Sequence, residues 1–143
     1  MAVSRQTVRE AMQTAMATLY EEVAQAGYPY KPDDLNGEFP VYAIESTSGL
    51  RPMEKFGTVS SVFQFVIHHF VLYANPEQSW TKQNADDALD DMELAWANFL
   101  EAKKTNSPTW QNIQVLGPSV ILDNVDMAGE RYIDEQIPVE VRV

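Results

Sequence analysis

The sequence predicts an α+β fold in which a mostly antiparallel sheet packs with two amphipathic helices. Apolar residues recur at helical spacing near the N-terminus and again between residues 84 and 104. A β-branched and aromatic run fills 58–73, and the last third alternates apolar stretches with Gly- and Pro-marked turns. At 143 residues the chain is expected to form one domain, residues 1–143. A chain of that length buries roughly two thirds of the surface that its unfolded form exposes.

The first helix is expected over residues 4–26. Ser4 suits the N-cap, and Val8, Met12, Ala15, Leu19 and Val23 follow at spacings of three and four, with Gly27 as the stop. Pro29, Pro32 and the Asn36-Gly37 pair mark an irregular connection before a strand from Phe39 to about Ser46. Thr47 to Gly57, which holds Ser48, Gly49 and Pro52, reads as a long loop or a projecting hairpin arm. Thr58 to Tyr73 reads as a strand buried on both faces. Phe63, Phe65, Ile67, Val71 and Tyr73 share one side and Val62, Val66, Phe70 and Leu72 the other, so two layers must cover it. A neighbouring subunit is one source of such a layer.

Asn75-Pro76 ends that strand, and Asn84 is expected to cap a second helix with Asp86 and Asp87 in its first turn. Leu89, Met92, Trp96, Phe99 and Leu100 form its apolar face, and Lys103 and Lys104 close it before Ser107-Pro108. The remainder reads as strands over Trp110–Leu116 and Ser119–Val125, then a long strand from Glu130. In that last strand Arg131, Ile133, Glu135, Ile137, Val139, Val141 and Val143 share the side read as dry, the polar Gln136, Glu140 and Arg142 share the wet one, and Pro138 points to an edge position.

Composition narrows the function. A net charge of −11, from 21 acidic and 10 basic residues, opposes attraction to phosphate backbones and argues against a nucleic-acid reader. The absence of cysteine removes disulfides, thiolate nucleophiles and cysteine metal sites. Residues 1–10 hold no apolar run of the signal-peptide kind. Val62 to Ala74 is interrupted by Gln64, His68 and His69 and is too short for a bilayer, so a cytosolic protein without membrane partners is expected.

The residues that could carry chemistry are few. His68 and His69 are adjacent on a strand, point to opposite faces and cannot ligate one ion together; either would need an orienting carboxylate to act as a base. Asp86, Asp87, Asp90 and Asp91 read as a solvated helix start, with a basic partner surface or a weak Mg²⁺ or Ca²⁺ site as the functional alternatives. Asp123, Asn124, Val125 and Asp126 depart from Ca²⁺-loop spacing and read as the approach to a turn. GxGxxG, GxxxxGK[ST], GxSxG and HExxH do not occur. No catalytic, cofactor-binding or metal-ligating residue is therefore assigned, and the chain is expected not to be an enzyme. The enzyme alternative is a small cone-shaped α+β fold resembling ketosteroid isomerase, which places single acids in apolar pockets.

Taken together, the order is an amphipathic helix, a strand at Phe39-Pro40-Val41-Tyr42-Ala43-Ile44, a loop, a long strand, an acidic-start helix, and a Gly129 turn into the alternating strand Tyr132 to Val143. This arrangement resembles the tail terminator (tail completion) proteins of long-tailed bacteriophages over nearly the whole chain. The resemblance implies a virion protein, made in the host cytoplasm, that caps the tail tube as a hexameric ring. Its implied partners are copies of itself, the tail tube protein and the head-side connector, with DNA passing through the lumen unbound. It also implies that 47–57 is an inter-subunit or tube-contacting arm, with Leu50, Met53 and Phe56 as apolar anchors and Arg51 and Lys55 as rim charges. Another ring component of the tail or neck is the alternative within the virion.

Overall fold

The computed structural model describes residues 3–51 and 61–143. Its elements, in order, are α1 (Arg5–Tyr20), β1 (Ala26–Tyr28), β2 (Val41–Leu50), β3 (Val62–Leu72), a short 3₁₀ turn (Pro76–Gln78), α2 (Lys82–Lys103), β4 (Asn112–Val115), β5 (Val120–Met127) and β6 (Glu130–Arg142). The six strands form one sheet in the order β1-β2-β3-β6-β4, with β5 also paired to β6. Only β1 and β2 run parallel among these pairs. The fold is α+β, as the sequence predicts.

Both helices cover one face of the sheet. Ser4 caps α1 by accepting from the Thr7 backbone N–H at 3.0 Å, and Val8, Met12, Met16 and Tyr20 form its buried stripe, spaced by four. The helix stops at Tyr20, short of the expected Ala26. Beyond it the backbone finds other partners: the Gln25 N–H bonds to the Pro40 carbonyl, and Ala26–Tyr28 pairs with Val41–Ala43. Gly27 is therefore no helix stop. It lies in β1 against the Tyr42 ring, where an added Cβ would stand 2.0 Å from Tyr42 Cζ. Strand pairing and a buried ring have overridden local helix propensity.

Helix α2 begins earlier than expected. Thr81, not Asn84, is the N-cap; its Oγ1 accepts from the Asn84 N–H at 3.2 Å, and Asn84 Oδ1 accepts from the Thr81 N–H at 2.9 Å. This reciprocal pair satisfies two N–H groups that a helix start leaves open. Asp86 and Asp87 consequently lie past the first turn. Ala85, Leu89, Met92, Trp96 and Phe99 are buried against the sheet, and the Trp110 indole donates to the Lys103 carbonyl at 2.9 Å to seal the helix end.

Strand β3 alternates as predicted. Phe63, Phe65, Ile67 and Val71 join the large cluster beneath the helices. On the opposite face Phe70 and Leu72 pack with Leu35, Val41, Ala43, Met127 and Tyr132. The second layer over this end of β3 thus comes from the same chain. Toward the other end Val62, Gln64 and Val66 stay half-buried.

Two expectations about the strands need correction. Thr47 to Leu50, read as the start of a long loop or projecting hairpin arm, take the hairpin form: they carry β2 past its expected end at Ser46, paired with β3 as far as Leu50↔Val62 after a register shift between Ser46 and Ser48. Pro138 does not mark an edge, because β6 is central, with β3 on one flank and β4 and β5 on the other. The Pro138 carbonyl accepts from Leu116 at 2.9 Å, on the β4 flank. Its missing N–H therefore falls on that flank too, in the gap between the β5 ladder, which stops at Gln136, and the β4 ladder, which starts at Val139. No bond to β3 is lost.

Candidate functional site

The two histidines lie on opposite faces, as strand geometry requires; His68 meets two carboxyl groups from neighbouring strands and His69 meets one. His68 is 1% exposed. Its Nδ1 lies 2.9 and 3.0 Å from the two oxygens of Asp134, and its Nε2 lies 2.9 Å from Glu45 Oε1. Gln136 donates to Asp134 at 2.9 Å, and Phe70 stacks on the imidazole with ring centroids 5.2 Å apart. On the helix side His69 bridges Tyr20 Oη at 2.7 Å and Glu135 Oε1 at 2.9 Å, and Ser119 Oγ meets Glu135 Oε2 at 3.0 Å.

Burial pushes the Tyr20 hydroxyl well above the usual tyrosine range, with the Tyr42, Glu135 and Glu93 charges adding to the effect. For His68, burial pulls toward the neutral ring. The hydrogen bond and charge of Asp134, then those of Glu45, outweigh it and leave the imidazole above its ordinary value. A raised folded-state value means that the stabilisation is complete below the unfolded-chain value of about 6.5 and disappears as pH rises through the folded value. The melting temperature should therefore fall as the pH is raised from 6.5, and calorimetry in matched-ionic-strength buffers checks this.

All four ring nitrogens are engaged inside the chain. Neither histidine lines the clefts found among the described residues, which include one of about 540 Å³ bordered by Leu72, Asn75, Glu77 and Arg131, a groove of about 450 Å³ between α1 and Asn106–Trp110, and a smaller one bordered by Tyr20, Gly27 and Tyr42. An isomerase-like site needs a side chain aimed into an apolar pocket. The histidines instead tie strands together.

The α2 aspartates lie on the solvent face, where Asp86 pairs with Lys82 at 2.6 Å. No group of three ligating side chains able to hold a metal occurs among the described residues. Asp123 to Asp126 lead into the turn at Ala128-Gly129, as expected, and Asp123 and Asn124 form the irregular part of β5, where the register shifts between Leu122 and Val125. Asp126 Oδ1 accepts from the Gly129 N–H at 2.8 Å, closing the turn in which Ala128 and Gly129 both have positive φ.

Of the arm residues singled out by sequence, Leu50 ends β2 and is 64% exposed. Arg51 is held within its own chain: it donates to Ser61 Oγ at 2.8 Å and to the Val3 carbonyl at 2.6 Å, over the Phe63 ring. Met53, Lys55 and Phe56 lie outside the described residues.

Sequence reasoning missed the far edge of the sheet. Val115 at the end of β4, Leu116 just beyond it, and Val120, Ile121 and Leu122 in β5 are all exposed. They belong to residues 105–122, which carry no charge in a chain of net charge −11. Among the described residues neither the outer flanks of β4 and β5 nor β2 beyond Ala43 on its outer flank has a strand partner. The uncharged run was the available signal. Among the described residues no helix is long and apolar enough to cross a membrane.

No protein-family model matches the chain, and no curated protein matches it. Solved structures similar to it include a chain of the virion of a native gene transfer agent (GTA) particle, at 16% identity and a TM-score of 0.47, covering 98% of this chain and 96% of that one.

Proposed function

We infer that this chain is a ring-forming structural subunit of a phage tail, of the tail terminator kind. The observation that carries the ring is the pair of sheet edges without a strand partner among the described residues: the edge of β4 and β5, uncharged as far as Leu122, and the outer half of β2 on the opposite side of the sheet. Exposed edge strands are templates for pairing with another chain, and soluble proteins normally blunt them with charge. Here the charge stops at Lys104 and resumes at Asp123. Two different edges meeting head to tail make a heterologous contact, which closes into a ring when the rotation allows.

The position at the head-side end of the tail tube, and six as the number of subunits, come from the resemblance of the sequence. So do the tube and connector partners, and a lumen through which DNA passes without specific binding. In this reading 47–57 is the contacting arm, with Leu50, Met53 and Phe56 as anchors and Arg51 and Lys55 at its rim.

Light scattering over a wide concentration range, with imaging of assembled particles, tests the ring. A strict monomer in both settings would sink it. Ile121, 57% exposed, provides the sharper variant. Ile121→Lys should abolish assembly while shifting folding stability by no more than about 0.5 kcal/mol, the usual range for an exposed site. In the arm, Phe56→Ala should weaken association by about 1 to 3 kcal/mol. Normal assembly by the Phe56 variant would return 47–57 to an ordinary connection.

A further inference from the structure

His68 has two carboxyl groups at its two ring nitrogens, and the three side chains come from three adjacent strands: Glu45 from β2, His68 from β3 and Asp134 from β6. A carboxylate can only accept, so satisfying both contacts requires a hydrogen on each nitrogen, which is the imidazolium form. The two ends are unequal. The Asp134 side chain is 2% exposed and is also held by Gln136, whereas the Glu45 side chain is 38% exposed. If the ring loses one proton, Asp134 has no water to turn to and keeps the Nδ1 hydrogen. Glu45 then faces a bare lone pair on Nε2 and can rotate into solvent.

We propose that His68 is a proton-operated pin: as imidazolium it fastens the outer half of β2 to β6 across β3, and on losing its proton it releases Glu45 and loosens β2 from Glu45 to Leu50. The consequence is local because β1 braces β2 only from Val41 to Ala43. Beyond that point β2 is held by the β3 ladder, by Thr47 and Ser48 donating to Gln64, by this pin on one face and, on the other, by the buried Ile44 and by Arg9 reaching Ser46. The groups that face the imidazole are few. β2 presents Glu45 beside the uncharged Ala43, β6 presents Asp134 and the uncharged Gln136, and β3 itself presents Val66 and Phe70. No lysine or arginine is paired with either carboxyl group among the described residues, so the imidazolium is their counter-charge.

Nitrogen-detected NMR of the full chain across pH 5 to about 9.5, a window bracketing the ordinary histidine value, with backbone amide exchange on the same samples, tests this. Both His68 nitrogens should carry hydrogen at neutral pH, and Nε2 should be the one that loses it. As it does so, protection of the amides from Glu45 to Leu50 should drop about tenfold or more, matching the worth of one charge-assisted hydrogen bond, while β6 amides stay protected. Glu45→Gln keeps an acceptor and removes the charge; it should lower the His68 titration midpoint and abolish the step in β2 protection. Glu77→Gln, on the exposed 3₁₀ turn, should change neither. The pin is refuted by a neutral His68 ring at neutral pH, by deprotonation at Nδ1, by a midpoint unmoved in Glu45→Gln, or by β2 protection that ignores the titration.

Discussion

Phe99→Ala should lower folding stability by about 3 to 5 kcal/mol, the usual cost of deleting a fully buried aromatic ring. Phe99 has no exposed surface, stacks on Trp96 with centroids 5.3 Å apart, and lies 6.3 Å from the Trp110 ring that closes the end of α2. Two large indoles fixed on either side cannot collapse into the space, so the loss should sit at the upper end. Domains of this size hold about 5 to 15 kcal/mol in total, so the melting temperature should fall by roughly 10 °C or more. Phe99→Leu, which restores most of the volume, should cost less than about 1.5 kcal/mol. Calorimetry of both variants decides the matter. A loss below about 1 kcal/mol for Phe99→Ala, far under the range for a core ring, would mean that α2 is not seated on the sheet through this face.

Phe99 was legible in advance because helical spacing is a local signal: Leu89, Met92, Trp96 and Phe99 repeat every three or four residues, and the structure buries all of them. The same holds for the two faces of β3, whose alternation survives in the two separate apolar clusters. What the chain does not spell out locally is where an element stops. Tyr20 ends α1 because β1 must reach β2, and Thr47 to Leu50 stay extended because β3 lies beside them. A run of Ser, Thr and Gly leaves loop and hairpin arm equally open, and the pairing decides between them. Pro138 misled for a related reason, since its meaning depends on which flank its nitrogen faces, and that depends on how β4 and β5 divide β6 between them.

The candidate site was less legible still. Two adjacent histidines in β3 and two adjacent acids in β6, Asp134 and Glu135, are separated by 66 residues. They become partners only once the antiparallel register places His69 opposite Glu135 and His68 opposite Gln136. One residue of slip would break both pairs, so the polar matches guard a register that apolar packing alone would leave looser. The edge of β4 and β5 is a different kind of omission. Its residues are ordinary strand formers, and their exposure follows from strand order, which no short window of sequence contains.

His69→Leu should be about as damaging as the loss of the Phe99 ring, for an electrostatic reason. The histidine has no exposed surface and joins the buried Tyr20 hydroxyl to the buried Glu135 carboxyl. A leucine of similar size fills the space but leaves both groups short of a partner, at about 1 to 3 kcal/mol each, or roughly 2 to 6 kcal/mol in total. Glu135 keeps Ser119, which softens its share, but Tyr20 keeps no other side-chain hydrogen-bond partner among the described residues. The decisive comparison is the triple variant Tyr20→Phe, His69→Leu, Glu135→Leu, which removes every member of the chain from Tyr20 to Glu135 and leaves Ser119 to the solvent. If the single change is costly because it strands polar groups, the triple should recover most of the loss and come within about 1 kcal/mol of the parent, since an all-apolar replacement of similar shape is nearly neutral. Chemical denaturation of the parent, the single and the triple variant measures this. A triple variant as unstable as the single one would show that the shape of the imidazole, and not its hydrogen bonds, is what the core under α1 requires.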